Sequence, residues 1–376
     1  MMHPFVILVA EKRKGVFYVY ASAYARISRE ALRKNAAAVI EAVDVPVIGV
    51  VKCDGYGVTL QEAAAAWQAA GIKMFGVSRP EEAFALRQLG FRQEILLLAP
   101  VAEAGLVRSL CEENVILTVS SLENARLYGA AARGTVRVHV AVDTGMGRFG
   151  LRWSDAEAIA QVYKNPGLSC EGIFSHFSSA FSQDGKTTAR QLRRFLDVTE
   201  GLSRAGYPVG MRHIANSCAA LKDPQTWLDG VRIGSALTGP LPVKTQIGLA
   251  PAAHFYARVV DCREFRPGET TGYGGYCVIR KPTRAAVVAL GKTDGFGLTD
   301  RPDRLRTRDL AAYLGQAVRA RVSPPRVFWQ GQPLPLLGRI GSQYTLFDAT
   351  AAQVSPGDLV QWEGNLMNSR CSRVFE

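Results

Sequence analysis

One segment of the 376-residue chain joins a buried strand to a charged residue, Val50-Val51-Lys52-Cys53-Asp54-Gly55-Tyr56-Gly57. It has the pattern of an apolar strand that ends at a lysine and continues into a glycine-containing turn. An ammonium group at the end of a buried strand must be paired, deprotonated or used covalently. We therefore consider Lys52 as a residue that forms a Schiff base. The simpler alternative is a lysine whose side chain reaches solvent from the strand end.

From about residue 27 onward, apolar strands alternate with alanine-rich amphipathic helices, a pattern that predicts a parallel sheet. We predict helices at 29–42, 61–70, 81–89, 122–131, 155–163 and 189–205. We predict strands at 45–51, 74–77, 94–98, 115–119, 136–142, 170–175, 211–215 and 230–233. Eight such strands indicate an α/β fold with an N-terminal (β/α)8 TIM-like barrel over residues 21–243. A doubly wound sheet is the alternative that periodicity leaves open.

After Gly239-Pro240-Leu241-Pro242 the sequence becomes richer in Val, Tyr, Phe and Thr, with Gly/Pro turns between short segments. The predicted strands of this part are 255–262, 276–279, 285–290, 326–329, 336–340 and 359–362, with one helix at about 309–319. The pattern predicts a smaller, mostly antiparallel β domain over residues 244–376. The N-terminal segment, residues 1–20, contains a strand-like run at 16–20 that we expect to join this domain.

Composition excludes several classes of protein. The formal net charge is +12, but the basic residues are scattered without interleaved aromatic residues, so nucleic acid is not indicated as a partner. A positive field would still help to recruit an anionic cofactor or substrate. The seven cysteines form no C-x-x-C pair, which argues against a metal site and favours the cytoplasm. No apolar run suggests a membrane span or a signal sequence.

Polar motifs follow the ends of the predicted strands. In order they are the Lys52 turn, V-D-T-G-M-G-R-F-G at 142–150, His176, H-I-A-N-S at 213–217 and V-R-I-G-S at 231–235, with Gly272-Tyr273-Gly274 in the second domain. In order and spacing this series resembles the alanine racemase family of fold-type III pyridoxal-phosphate enzymes, over residues 22–362. The resemblance implies a barrel that binds pyridoxal 5'-phosphate and a homodimer in which Tyr273 of one subunit reaches the partner's active site.

The chemistry of racemisation explains why two of these residues matter most. The Cα–H of a free amino acid is a very weak acid, so its inversion needs an electron sink and a proton-transfer group on each face. Pyridoxal phosphate supplies the sink. By the resemblance, Lys52 is the base on one face and Tyr273 the base on the other. For a tyrosine between two glycines, an ordinary turn aromatic is the alternative.

By the same resemblance, a set of small and hydroxyl-bearing residues holds the cofactor's phosphate: Tyr56, Asn216, Ser217, Gly234 and Ser235. Arg232 matches the arginine that donates to the pyridine nitrogen. A permanently charged guanidinium there keeps that nitrogen unprotonated and suppresses transamination. His176 matches an imidazole packed against the ring and His213 a residue behind it, although core packing is the ordinary role of a lone histidine on a strand. Arg148 matches the arginine that bonds the cofactor's phenolate and the substrate carboxylate.

Three departures from the family pattern concern the substrate. Ala141 stands seven residues before Arg148, where the family commonly carries a carbamylated lysine. Lys292 replaces a tyrosine at the site entrance, and Gly341-Ser342-Gln343 replaces a C-M-D triplet. We expect Arg148, Ser342 and Lys292 to contact the substrate, with alanine as the default. The alternatives are a racemase of a larger or acidic amino acid, a non-catalytic or regulatory pyridoxal-phosphate-binding homologue, and a polypeptide-binding scaffold.

Overall fold

The computed structural model describes residues 10–13, 16–19, 21–298, 315 and 324–376. The chain forms two compact units, one of Arg29–Ala252 and one of Met1–Ser28 together with Ala253–Glu376. The sequence suggested boundaries at residues 21 and 243. The first lies later because Ala23–Ile27 pairs with strands of the second unit, and the second lies later because Ala250 and Ala252 bond to residues of the first unit. The helix predicted at about 309–319 lies outside the described residues, apart from residue 315.

The first unit is a barrel of eight parallel strands, so the fold predicted from the sequence is confirmed. Strands one to eight are Val47–Val50, Met74–Val77, Glu94–Leu97, Val115–Val119, Val136–Asp143, Leu168–Phe174, Met211–His213 and Val231–Ile233. Strands one to seven pair in chain order, and strand eight pairs with strand one. A short additional strand, Leu151–Arg152, pairs with the end of strand five. Sequential order that returns to strand one excludes the doubly wound alternative.

The barrel closes between strands seven and eight, a junction that we call the seam. His213 and Gly230 form a single isolated bridge there. The amide of Arg232 adds one hydrogen bond to the carbonyl of Ala215, at 3.0 Å. The seam is therefore held by a few backbone contacts rather than by a continuous ladder.

Helices connect the barrel strands. They are Arg29–Ala42, Leu60–Ala69, Pro80–Gln88, Ala104–Glu112, Leu122–Ala131, Ala156–Tyr163, Lys186–Arg204, Ser217–Lys222 and Ser235–Thr238, with a 3-10 turn at Pro224–Thr226. Three aliphatic side chains from strands one, three and four, Ile48, Leu96 and Ile116, form a buried cluster. Burial of such side chains contributes about 1.5–3 kcal/mol each. Among the described helices, none is long and apolar enough to cross a membrane.

The second unit contains an eight-stranded sheet that is mostly antiparallel, as predicted. Its strands are Ala23–Ile27, Ala253–Phe265, Thr283–Val288, Val327–Trp329, Gln332–Leu334, Thr345–Asp348, Leu359–Trp362 and Ser372–Phe375. Thr270–Thr271 and Cys277–Val278 form a separate pair. The long strand Ala253–Phe265 is central, because it pairs with three neighbours. Only the pairing of Ser372–Phe375 with Ala23–Ile27 is parallel in this sheet.

Two predictions for this unit differ from the structure. The strand expected at 336–340 is wrong, since Leu336 makes only an isolated bridge and Gly338 adopts a φ of +85° that breaks an extended backbone. The strand lies earlier, at Gln332–Leu334. The N-terminal run near residue 16 does form a strand, Val16–Val19, but it pairs with Ala10–Arg13 in a separate two-stranded sheet.

Candidate active site

A cavity of about 460 Å³ lies at the carboxyl ends of the barrel strands, which is where TIM barrels hold their active sites. Its lining includes all nine residues that the sequence assigned to the cofactor: Lys52, Tyr56, Arg148, His176, Asn216, Ser217, Arg232, Gly234 and Ser235. The described part of the chain contains no group of three His, Cys, Asp or Glu side chains placed to hold a metal ion. The seven cysteines are free thiols.

Lys52 follows strand one and begins a left-handed turn. The φ angles of Cys53, Asp54, Gly55 and Tyr56 are +55°, +52°, +63° and +57°. For residues other than glycine this conformation costs roughly 1–2 kcal/mol each. The three non-glycine residues of this turn, Cys53, Asp54 and Tyr56, therefore need support from elsewhere in the structure.

That support comes from Glu82, in the helix Pro80–Gln88. Its Oε1 atom accepts a hydrogen bond from the amide of Cys53 at 2.9 Å. Its Oε2 atom accepts from the amides of Ser78 and Arg79 at 2.8 and 3.1 Å. The sequence analysis missed Glu82. Its place three residues after Arg79 is typical of a helix-capping glutamate, but that pattern does not reveal the bond to Cys53.

A group of donors surrounds the start of the last barrel helix. Ser217 Oγ accepts hydrogen bonds from the amides of Gly234 and Ala236 at 3.1 and 3.4 Å. The hydroxyl of Tyr56 lies so close to Gly234 that a Cβ atom there would stand 2.2 Å from Tyr56 Oη. Burial raises the pKa of Tyr56, so its hydroxyl keeps its proton and can donate. Hydroxyls and backbone amides gathered in this way suit a phosphate group.

Two side chains at this end of the barrel accept hydrogen bonds from backbone amides of their own loops. Asp143 Oδ1 accepts hydrogen bonds from three successive backbone amides, those of Gly145, Met146 and Gly147, at 2.9 to 3.0 Å. Asn216 Oδ1 accepts from the amide of Ala219 at 3.1 Å and caps the helix Ser217–Lys222. The Asn216 side chain therefore positions Ser217 through the backbone.

Arg232 is 4% exposed, and the hydrogen bonds of its guanidinium go to backbone carbonyls and imidazole nitrogens. Nη1 donates to Nδ1 and to the carbonyl of His213 at 2.7 and 3.0 Å, and Nη2 donates to the carbonyl of Ser175 at 2.6 Å. Among the described residues no carboxylate pairs with it, and its Nε–H has no protein partner. Burial lowers the pKa of Arg232 to about 9, which leaves it charged at neutral pH. A charged donor without a partner at a cavity wall suits an acceptor such as a pyridine nitrogen.

Three neutral imidazoles lie near this guanidinium, of which His176 and His213 contact it and His139 contacts His213. Nη2 of Arg232 lies 3.2 Å from His176 Nδ1, and His139 Nδ1 lies 2.8 Å from His213 Nε2. Burial and the charge of Arg232 lower the pKa of His176 and of His139 to about 3, and that of His213 well below its usual value. The sequence analysis assigned His176 and His213 to this region but missed His139, which lies on strand five outside the cavity lining.

Arg148 and Ala141 line the same cavity. Ala141 is 3% exposed, whereas the guanidinium of Arg148 is exposed and lies 5.6 Å from the ring centroid of Phe149. It makes no hydrogen bond or ion pair with any residue that the structure describes. Arg148 is thus available to a carboxylate. Arg79, which the sequence analysis did not single out, also lines this cavity.

The three remaining predicted residues belong to the second unit. Tyr273 begins the turn Tyr273–Gly275 after Gly272, whose φ is +69°, and its side chain is 85% exposed. Lys292 and Ser342 lie next to each other along a shallow cavity on this unit. The amide of Lys292 donates to the carbonyl of Gly341 at 3.0 Å. The structure therefore brings Lys292 and Ser342 together.

Comparison with known proteins supports one family along most of the chain. The family model of the alanine racemase N-terminal domain matches residues 27–242, and that of the alanine racemase C-terminal domain matches residues 252–372. The alanine racemase of Desulfosudis oleivorans is 35% identical over 360 residues, covering 90% of this chain and 86% of its own. That of Thermobifida fusca is 36% identical over 284 residues, covering 73% and 75%.

Solved structures agree with the sequence relatives. The crystal structure of alanine racemase from a D-cycloserine-producing Streptomyces lavendulae is similar with a TM-score of 0.82, at 26% identity over 95% of this chain and 97% of the other. The alanine racemase of Streptomyces coelicolor has a TM-score of 0.80, at 26% identity over 94% and 98%. Matching sequence, domain order and fold lead to one conclusion: this chain belongs to the alanine racemase family and is an amino-acid racemase.

Proposed function

We propose that the protein is a pyridoxal-phosphate-dependent racemase that interconverts L- and D-alanine with two bases, Lys52 and Tyr273. The observation that carries this proposal is the convergence, in one cavity, of Lys52, the charged Arg232 and the hydroxyls of Tyr56 and Ser217. The substrate named for the sequence relatives supports alanine.

The cavity residues fit the proposed cofactor. Tyr56, Ser217 and the backbone at Gly234 and Ser235 would hold its phosphate, and Arg232 Nε would donate to its ring nitrogen. Gly234 is a specific sign of this fit, since any side chain there would displace the Tyr56 hydroxyl. When bound, pyridoxal phosphate supplies the electron sink that makes the substrate's Cα–H acidic.

Two proton-transfer groups are needed because inversion removes a proton from one face of Cα and returns one to the other. We assign Lys52 Nζ to one face and Tyr273 Oη, from a second copy of the chain, to the opposite face. The 85% exposure of Tyr273 supports this assignment, because such a side chain is available to another subunit. The active form would then be a homodimer with shared sites.

Arg148 is the group that we assign to the substrate carboxylate. A guanidinium binds a carboxylate with two parallel hydrogen bonds, which fixes the orientation of Cα relative to the bases. Arg148 has no competing carboxylate among the described residues, and it lines the same cavity as Lys52. Lys292 and Ser342, which lie together on the second unit, would contact the substrate at the entrance.

Chiral chromatography of L-alanine incubated with purified, cofactor-loaded protein tests the proposal. Alanine should approach an equal mixture of enantiomers, because L- and D-alanine have the same free energy. Lys52→Ala protein, prepared in parallel, should produce no D-alanine. Absence of D-alanine from protein with a fully occupied cofactor site would contradict alanine as the substrate, and absence of racemisation of aspartate and glutamate as well would support a non-catalytic homologue.

Arg79 favours a second candidate, a racemase of an acidic amino acid. Arg79 and Arg148 both line the cavity, and the small side chain of Ala141 leaves space in the same wall. Two guanidinium groups would suit a substrate with two carboxylates. Measurement of kcat/KM for alanine, aspartate and glutamate distinguishes the candidates. A higher value for aspartate or glutamate, reduced by Arg79→Leu, would replace alanine as the substrate.

A further inference from the structure

We propose that His139 is a positioning residue that fixes the tautomer of His213 and thereby orients Arg232. The inference rests on the proposed function only in that Arg232 serves the cofactor. His139 does not line the cavity, so its effect would pass through His213.

The directions of the hydrogen bonds follow from the guanidinium. Arg232 has only donors, so the 2.7 Å contact between its Nη1 atom and His213 Nδ1 requires a lone pair on Nδ1. The neutral His213 ring must therefore carry its proton on Nε2. A ring with the proton on Nδ1 would place two donors against each other.

The proton on His213 Nε2 then needs an acceptor. His213 is fully buried, and among the described residues the hydrogen-bond partner of Nε2 is His139 Nδ1, at 2.8 Å. Since an unsatisfied buried donor is unfavourable, His139 Nδ1 stabilises the Nε2–H form of His213. His139 must itself carry its proton on Nε2. Arg232, His213 and His139 thus form a chain with one direction of donation.

The packing of His139 leaves it little freedom to break this chain. Its ring fills the space above Gly172, its partner on strand six, where a Cβ atom would stand 2.7 Å from the imidazole. Only 2% of His139 is exposed. Burial together with the charges of Arg232 and Arg137 lowers the pKa of His139 to about 3, which keeps the ring neutral.

The hydrogen-bond chain determines how the Arg232 guanidinium is oriented at the cavity wall. Contacts with His213 hold Nη1 of Arg232 and contacts with Ser175 hold Nη2, whereas none of the residues that the structure describes accepts a hydrogen bond from Nε–H. If His213 changed tautomer, Nη1 would lose its imidazole acceptor and the guanidinium would turn. The donor that we assign to the cofactor's ring nitrogen would then be misplaced.

Nitrogen-15 NMR of histidine-labelled protein tests the hydrogen-bond chain without any cofactor. The protein has five histidines, so single His→Asn variants suffice to assign their signals. In the cofactor-free protein at neutral pH, His213 and His139 should both give the shifts of a neutral ring protonated on Nε2. An Nδ1–H tautomer or an imidazolium at His213 would overturn the proposal.

A matched pair of substitutions tests whether the acceptor at residue 139 orients Arg232. Asn and Leu have similar shapes, but only the carboxamide oxygen of His139→Asn can replace Nδ1 as an acceptor. His139→Asn should keep the wild-type His213 signal. His139→Leu should change that signal. It should also raise pyruvate formation, in which alanine's amino group passes to bound pyridoxal phosphate, by about tenfold relative to racemisation, as expected when a buried donor is left unpaired. Circular dichroism of both variants checks folding.

The outcomes separate this proposal from the proposed function. Identical His213 signals and identical product ratios in His139→Asn and His139→Leu would overturn the role of His139. A wild-type protein that binds no pyridoxal phosphate would overturn the proposed function, while its His213 signal would still support or contradict the hydrogen-bond chain. If His139→Leu fails to fold, the wild-type spectrum remains the deciding measurement.

Discussion

The amide of Cys53 donates to Glu82 Oε1 at 2.9 Å, so the residue next to Lys52 is bonded to the helix that follows strand two. Replacement of Glu82 by alanine removes this acceptor from a left-handed turn. We expect the free energy of unfolding to fall by about 1–3 kcal/mol and cofactor loading to slow. Urea unfolding and the rate of cofactor uptake measure the two effects. Glu81→Ala, at the exposed neighbouring position, is the control, and equal effects of both variants would contradict the assignment.

Gly234 is predicted to determine cofactor affinity. A methyl group there would collide with Tyr56 Oη, so Gly234→Ala should displace the hydroxyl from the proposed phosphate site. We expect the Kd for pyridoxal phosphate to rise by about tenfold or more, equivalent to the loss of one hydrogen bond to a charged group. Absorbance titration gives the Kd. Gly248→Ala, where a Cβ atom meets nothing within 4 Å, should leave it unchanged.

Borohydride reduction should attach the cofactor to Lys52. Wild-type protein should show a visible absorption band that disappears on reduction, and mass spectrometry should find the added mass on the peptide that contains Lys52. Lys52→Ala should lack both signals, because no other amine is assigned to bond the cofactor. Lys164→Ala, at an exposed salt bridge, serves as the control. A reduced adduct in Lys52→Ala would assign the bond to another residue.

Tyr273→Phe should separate the two faces of the reaction. Without the phenol, racemisation should fall by at least about 100-fold, the lower range for removal of a general acid–base group. Exchange of the α-proton with deuterated solvent should persist for the enantiomer whose proton faces Lys52. Tyr276→Phe, at another exposed tyrosine of the same turn region, should retain activity. Equal loss of exchange for both enantiomers would argue against two separate bases.

The buried imidazoles make stability depend on pH. The pKa values of His139 and His176 are lowered to about 3, whereas in the unfolded chain histidine titrates near 6.5. Below pH 6.5 the unfolded state binds more protons, so stability falls as pH falls. At pH 5 each histidine should remove about 2 kcal/mol. His139→Asn should reduce the change in unfolding free energy between pH 7.5 and 5 by that amount, and His254→Asn, at an exposed position, should not.

The fold was largely predictable because its signal is periodic. The helix at 29–42 and the strand at 115–119 match the structure at both ends, since apolar spacing and chain breaks mark them locally. The predicted strand at 336–340 is wrong because its apolar residues favoured an extended segment while Gly338 lies inside it. The φ of +85° at Gly338 interrupts an extended conformation that the neighbouring residues would otherwise favour.

The meeting of distant residues in one cavity was predictable where they follow strand ends, because the carboxyl ends of parallel strands converge. Lys52 and Ser235 lie 183 positions apart, yet both line the cavity for this reason. Glu82 and His139 were not predictable in the same way. Their roles depend on contacts with Cys53 and His213, 29 and 74 positions away, and no local pattern encodes those approaches.

We expect the proposed cofactor to stabilise the seam of the barrel. Of the groups that we assign to the phosphate, Ser217 follows strand seven and Ser235 follows strand eight, on the two sides of the seam. A phosphate bonded to both would join the two sides of the seam, where the strands share only a few backbone contacts. Release of the cofactor would then remove one link between strands seven and eight.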